Sequence, residues 1–268
     1  MDPSVDVAHL LLYFVAGFSV AVVCTPVGIS GAFLLVPFQV SVLGLTSVSV
    51  SSTGLVFNVV SAPAGIVRYW RDGRIDWDLA RLVGAGVVPA VVAGAWVRVH
   101  VLSDPRAFKA VAGITLILVA MRVVAGRRAV TREPLSAAHN LQKRPALVIA
   151  LAAAVGFAGG LYGIGGGSLL APLLVASGVA VADVAGAALV ATLMSSVAGL
   201  LAYVVFTTTG SASSPYWGLG VVLGVGGLGG SYIGARLQPR LPEATLTAMI
   251  AALAGLTGAL YLFQALTS

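Results

Sequence analysis

The chain has 268 residues, of which 59% are hydrophobic and only 9% are charged. A water-soluble domain carries roughly 25% charged residues, so the composition excludes a soluble domain and predicts an all-α protein that crosses a lipid bilayer several times. The net charge of +6 lies in basic residues between apolar segments, which indicates membrane topology and not nucleic-acid binding.

Apolar segments follow one another along the whole chain, without the period-two alternation of a membrane barrel. Ten of them can be marked, near residues 7–27, 28–44, 47–67, 79–97, 108–124, 146–162, 163–175, 184–206, 216–235 and 246–266. A polar and basic stretch separates the fifth from the sixth. The predicted organisation is therefore a first repeat at residues 1–124, a cytoplasmic linker at 125–145 and a second repeat at 146–268.

The second and seventh segments open with the same glycine-and-proline element. It spans Gly28–Pro37 and, 135 residues later, Gly163–Pro172, with six of ten positions identical. Backbone polar groups can be left free inside a membrane only where they line a cavity. A duplicated, interrupted apolar segment therefore predicts the central site of a transporter.

Further matches extend the duplication beyond this element. They are Ser61 with Ser195, Gly65 with Gly199 and Tyr69 with Tyr203 at an offset of 134, then Gly84, Gly86, Gly94 and Ala95 with Gly224, Gly226, Gly234 and Ala235 at 140. Five crossings per half is an odd number, which predicts that the second half is inserted upside down. The sixth and seventh segments are short for a bilayer, so they either cross or form a re-entrant hairpin with its tip near the midplane. The inversion holds in both cases.

Basic residues predict the orientation. With the N-terminus outside and every segment crossing, twelve of the fifteen Lys and Arg residues face the cytoplasm, and Arg98, Arg106 and Lys109 face outside. If one glycine-rich segment per half did not cross and the N-terminus lay inside, the division would be ten to five. The first arrangement agrees better with the positive-inside rule.

The glycine-rich tips are the first candidate binding site. Glycine permits a sharp turn, and the first N–H groups of a helix have no internal partner and suit a small anion. Close helix packing is the alternative role of such glycines. The candidate tip residues are Ser30, Gly31, Gly165, Gly166, Gly167 and Ser168.

Polar residues of the third and eighth segments are candidates for the walls of this site. They are Thr53, Asn58 and Ser61 in one, and Thr192, Ser195 and Ser196 in the other. Interhelical hydrogen bonding is the alternative role of each residue. No Asp or Glu lies in the middle of a segment, so a carboxylate proton relay is not predicted.

Other chemistry finds little support in the sequence. Cys24 is the lone cysteine, and neither a metal-ligand cluster nor a nucleophile–base pair is visible, so no cofactor, metal or enzymatic activity is expected. The stretch Gly224–Gly229 fits a dinucleotide fingerprint, but it lies inside an apolar segment and not between a strand and a helix. We expect Gly226, Gly230 and Gly234 to form a packing face instead.

The two glycine elements, together with Tyr69–Trp77 and the blocks at Gly94 and Gly234, resemble the TauE/SafE sulfite exporter family. The resemblance covers nearly the whole chain, although Ser30 and Ala32 stand where glycines are usual. It implies a multi-pass carrier in the inner membrane that exports sulfite, a sulfonate or a related organosulfur anion. A carrier of another small anion or metabolite, and a non-transporting membrane scaffold or assembly factor, are the alternatives. The sequence leaves open whether the protein is a homodimer.

Overall fold

The computed structural model describes residues 7–41, 43, 45, 48–101, single positions between 110 and 124, 145–176, 179–208 and 214–267, and these are helical or lie in short connections. The helices are α1 (Val7–Cys24), α2 (Ala32–Ser41), α3 (Ser49–Arg71), α4 (Trp77–His100), α5 (Pro145–Tyr162), α6 (Gly167–Ala176), α7 (Val181–Thr208), α8 (Trp217–Leu237) and α9 (Glu243–Thr267). Short 3₁₀ turns follow α1 and α8. The predicted linker and most of the fifth segment lie outside the described residues.

Seven of these helices are long and apolar enough to cross a membrane, among the described residues and by length and composition: α1, α3, α4, α5, α7, α8 and α9. The other two, α2 and α6, have ten residues each. Ten residues of helix measure about 15 Å, half of the ~30 Å hydrocarbon core. The second and seventh predicted segments therefore do not form helices that cross the bilayer.

The helices α1, α3 and α8 run in the same direction. A Cβ atom placed on Gly226 would lie 2.0 Å from the carbonyl oxygen of Phe14, and one on Gly230 would lie 2.2 Å from that of Phe18. Where α3 contacts α8, residue numbers likewise rise together along the two helices. Backbones this close exclude any side chain larger than hydrogen. The predicted packing face of glycines on α8 is confirmed.

The helices α4, α5 and α7 form a second parallel group. Positions Gly86 and Gly94 of α4 lie against the carbonyl oxygens of Ile149 and Phe157 of α5, at 2.5 and 2.1 Å from an added Cβ. Where α4 contacts α7, residue numbers also rise together along the two helices. Glycine again permits the close approach.

The two groups meet where α3 packs against α7, and there the helices are antiparallel. A Cβ on Gly65 would lie 2.7 Å from Leu189, whereas a Cβ on Gly199 would lie 3.0 Å from Leu55. Residue numbers therefore fall along α7 as they rise along α3. At this central contact the Asn58 amide of α3 donates a hydrogen bond to the Ser196 hydroxyl of α7 at 3.1 Å.

One end of the helix bundle is basic, and we call it the basic end. It carries Arg68, Arg71, Arg74, Arg81, Arg236 and Arg240, at the C-termini of α3 and α8 and the start of α4. The turn there uses Gly73 at φ 64°, and Asp76 caps α4 by accepting a hydrogen bond from the Leu79 N–H at 2.9 Å. The remaining basic residues lie outside the described residues, except Arg98 at the opposite end.

Candidate functional site

The starts of the two short helices meet in the middle of the protein. The Ser30 N–H, two residues before α2, donates a hydrogen bond to the Ser168 hydroxyl in the first turn of α6 at 3.1 Å. The Ser30 hydroxyl accepts from the Ala32 N–H at 3.1 Å and so caps α2, and the Ser168 hydroxyl donates to the Ile164 carbonyl at 2.8 Å. The two glycine elements thus touch each other directly.

Asn58 of α3 connects both elements to α7. Its side-chain carbonyl accepts a hydrogen bond from the Ser30 hydroxyl. Its amide nitrogen donates to the Ile164 carbonyl at 3.2 Å and to the Ser196 hydroxyl at 3.1 Å. The side chain is 1% exposed, and this use of both of its ends fixes its orientation.

Two further residues of α7 line the second element. The Ser195 hydroxyl accepts a hydrogen bond from the Gly166 N–H at 3.0 Å and donates to the Thr192 carbonyl at 3.0 Å. The Thr192 hydroxyl is buried and has no partner among the described residues, and a Cβ on Gly167 would lie 2.5 Å from it. We call the group formed by Ser30, Gly31, Asn58, Ile164–Ser168, Thr192, Ser195 and Ser196 the junction.

The junction is rich in donors. The Thr192 hydroxyl is enclosed and has no partner among the described residues. The starts of α2 and α6 also lie here, where each helix has partial positive charge. No Asp, Glu, Lys or Arg belongs to the junction. This arrangement is suited to a small anion.

Three glycines of the elements have left-handed backbone conformations. They are Gly28, Gly163 and Gly165, with φ of 71°, 69° and 74°. A Cβ on Gly28 would lie 2.7 Å from Ala185 Cα, and one on Gly163 would lie 2.0 Å from the Ser51 carbonyl oxygen. Both elements are therefore pressed against the early turns of α7 and α3, at positions that differ by the same offset as the predicted repeat.

A tyrosine fastens the end of each long helix that precedes a glycine element. The Tyr69 hydroxyl donates to the Thr25 carbonyl at 3.0 Å, and the Tyr203 hydroxyl donates to the Gly160 carbonyl at 2.8 Å. Both tyrosines are 0% exposed. They are one of the pairs matched between the two halves of the sequence.

The structure brings most, but not all, of the predicted site residues together. Those at the junction are Ser30, Gly31, Asn58, Gly165, Gly166, Gly167, Ser168, Thr192 and Ser195. The Thr53 hydroxyl instead donates to the Ser49 carbonyl and accepts from the Tyr216 N–H. Ser61 packs against α8, because a Cβ on Gly227 would lie 2.7 Å from Ser61 Cβ.

Arg98 is a residue whose position the sequence did not indicate. The basic-residue count assigned it to the outer side of the membrane and gave no sign of burial. In the structure it is 2% exposed in the last turn of α4, next to Tyr203 and Tyr261. It lies at the end opposite the basic end. A single arginine at a helix terminus gives no signal in the sequence that distinguishes an interfacial residue from a buried one.

A cavity of about 460 Å³ opens at the end opposite the basic end. Its lining comes from the starts of α1 and α8 and the connection before α3, and consists of Leu10, Tyr13, Leu43, Leu45 and Pro215–Leu219. None of these residues belongs to the junction. Within the described residues, no group of three His, Cys, Asp or Glu side chains could hold a metal ion.

The chain is similar to known membrane transporters. Residues 13–261 match the family described as sulfite exporter TauE/SafE. The probable membrane transporter protein YjnA of Bacillus subtilis is 28% identical, over 86% of this chain and 91% of its own. The probable membrane transporter protein y4hK of Sinorhizobium fredii is 27% identical, over 83% and 87%. No solved structure matches the chain significantly.

Proposed function

The chain belongs to the TauE/SafE family of membrane transporters, and on that premise we propose that it is a secondary carrier that exports a small sulfur-containing oxyanion across the inner membrane. The observation that carries the proposal is the meeting of two helix starts at Ser30 and Ser168. Both short helices direct their positive ends at one buried point, where an anion gains from each.

Sulfite or an organosulfonate is the substrate we propose. The donors of the junction are backbone N–H groups and neutral hydroxyls, which bind an oxyanion more weakly than a buried arginine would. Weak binding lets the substrate leave, as a carrier requires. The sulfur chemistry itself rests on the family, whereas the junction supports an oxyanion in general.

We further propose that the two halves are inverted repeats, each containing a re-entrant hairpin. Because α1 and α3 start at the same end, the chain between them must return to that end, and α2 makes the return from the junction. The same holds for α5 and α7, with α6 between them. Equivalent helices of the two halves, α1 with α5, α3 with α7 and α4 with α8, then run in opposite directions, as inverted halves require.

The junction is closed in the structure, so transport requires the two elements to separate. A Cβ on Gly166 would lie 2.4 Å from a Val87 methyl and 2.9 Å from Gly156 Cα. Space for a substrate arises only if one hairpin moves away from α4 or α3. Alternate movement of the two hairpins would open the junction to one side at a time.

Replacement of Gly166 with leucine tests this function. We expect the variant to insert in the membrane and its saturable sulfite flux in proteoliposomes to fall to the level of empty liposomes, because the added side chain would hold α6 away from the junction. The matched control is Gly255→Leu, since the nearest atom to a Cβ there lies 3.7 Å away.

Wild-type flux in Gly166→Leu would show that the junction does not belong to the transport path. Binding of sulfite without flux in the wild type would favour a scaffold, and flux of cations or neutral solutes without competition by sulfite would end the anion proposal.

Orientation gives a second prediction. The positive-inside rule places the basic end in the cytoplasm and the start of α1 outside. Cys24 is fully buried, so single cysteines at exposed Arg71 and Val101 can be labelled selectively in whole cells. We expect an impermeant maleimide to label Val101→Cys and not Arg71→Cys until the cells are opened. The reverse pattern would overturn the orientation.

A further inference from the structure

A half-buried arginine at the basic end has no role in the junction. Arg74 belongs to the turn between α3 and α4, and its Cζ atom lies 5.9 Å from the centre of the Tyr69 ring. Its Nη1 atom is enclosed by the protein and has no hydrogen-bond partner among the described residues. An enclosed donor without an acceptor carries an unrecovered desolvation cost, which an arriving acceptor would relieve.

Arg74 also forms no salt bridge within the described residues. The nearby carboxylates have other partners: Asp72 pairs with Arg68 at 3.0 Å, and Asp78 pairs with Arg81 at 3.2 Å. Asp76 accepts from the Leu79 N–H. The other arginines of the basic end add positive potential, which attracts small anions toward this end.

Arg74 is also connected to the first glycine element through the contacts of Tyr69. Its backbone oxygen would lie 2.6 Å from a Cβ on Gly186, so the turn is held firmly against α7. Its guanidinium lies against the Tyr69 ring, and the Tyr69 hydroxyl donates to the Thr25 carbonyl. Thr25 lies three residues before Gly28, where the first element begins. An anion at Arg74 therefore stands next to the hairpin that must move to admit it.

We propose that Arg74 is the entry contact for the oxyanion at the basic end and binds it before it reaches the junction. This inference rests on the proposed function and adds a second, separate binding position to it. Guanidinium N–H groups bind oxyanions with charge-assisted hydrogen bonds, and the Nη1 atom of Arg74 has no acceptor among the described residues. A contact used on one side of the membrane predicts an effect that depends on the side from which the substrate comes.

The test compares Arg74→Gln with Arg71→Gln, an exposed arginine three residues away, in inside-out and right-side-out membrane vesicles. Labelled sulfite is the probe. For substrate presented at the basic end, we expect Arg74→Gln to raise the half-saturating concentration about tenfold and Arg71→Gln less than twofold, which is a loss of roughly 1.4 kcal/mol of binding at Arg74. From the opposite end, both variants should match the wild type. Arg74→Lys, which keeps the charge, should recover part of the loss.

Three results would overturn the inference. They are an unchanged half-saturating concentration at the basic end, an equal rise from both ends, and a loss of maximal flux alone, which would indicate a structural role. Each leaves the carrier function intact, because the wild type still transports sulfite. Absence of sulfite flux in the wild type would instead overturn the proposed function, and this inference with it.

Discussion

Replacing Gly163 with alanine is expected to destabilise the protein by about 2–5 kcal/mol. Its φ of 69° lies in the left-handed region, which costs an alanine about 1–2 kcal/mol. The new Cβ would also lie 2.0 Å from the Ser51 carbonyl oxygen and 2.4 Å from its carbonyl carbon. Backbone atoms cannot rotate away as a side chain can, so α3 and the second element must separate, and overpacking of this kind costs a further 1–3 kcal/mol or so.

The matched control is Gly73→Ala. Gly73 has nearly the same conformation, with φ of 64°, but a Cβ there meets no atom within 4 Å. It therefore carries only the conformational cost, about 1–2 kcal/mol. Thermal unfolding in detergent, with the amount of folded protein recovered from membranes, measures both variants. Equal losses in the two variants would show that a Cβ at Gly163 carries no steric cost against Ser51 beyond the conformational cost.

The glycine elements could be found from the sequence because close backbone approach has a compositional signature. Only glycine permits the left-handed turn at Gly28 and Gly163, and only glycine permits the contact of Gly226 with Phe14. The repeat also placed Tyr69 and Tyr203 at equivalent positions, and both fasten a carbonyl before a glycine element. Such features are local in the chain or repeated in it, so one sequence is enough to reveal them.

The walls of the junction were predicted less well, because helix faces are assigned by neighbours that the sequence does not name. Residues three apart on a helix differ by about 60° around its axis. On α3, which has neighbours on several sides, this angle is enough to place Asn58 toward α7 and Ser61 toward Gly227 of α8. Thr53 likewise bonds the Tyr216 N–H, a partner 163 residues away that no local pattern indicates.

The length of the short helices was also only partly accessible from the sequence. Apolar composition continues through residues 28–44, and so it marked a segment there without showing where the helix begins. In the structure α2 begins at Ala32, because the Ser30 hydroxyl accepts a hydrogen bond from the Ala32 N–H and residues 28–31 form the turn before the helix. The Ser30 hydroxyl that caps the helix donates its own hydrogen bond to Asn58, 28 residues away, and no local pattern in the sequence indicates this partner.

Asn58→Ala is expected to abolish most of the transport, and it is the variant that bears most directly on the junction. The substitution removes one acceptor and two donors at once. It leaves the Ser30 hydroxyl without its acceptor, and the Ile164 carbonyl keeps only the hydrogen bond from the Ser168 hydroxyl. Each buried polar group left unpaired costs about 1–3 kcal/mol. Because these groups belong to both glycine elements, the two helix starts should lose their fixed positions relative to each other. Anion binding that depends on both starts should then weaken by at least tenfold.

The measurement is saturable sulfite flux per inserted protein, with Thr257→Ala of α9 as the matched control. Thr257 is 0% exposed, and its hydroxyl has no partner among the described residues, so its loss leaves no group unpaired and should change flux less than twofold. Ser195→Ala, which removes the acceptor of the Gly166 N–H and the side-chain donor to the Thr192 carbonyl, should fall between the two. If Asn58→Ala retained wild-type flux while remaining folded, the contact between the glycine elements would be structural packing alone. A graded loss across the three variants would instead follow the number of junction groups left without partners, because binding would depend on how firmly the two helix starts are held together.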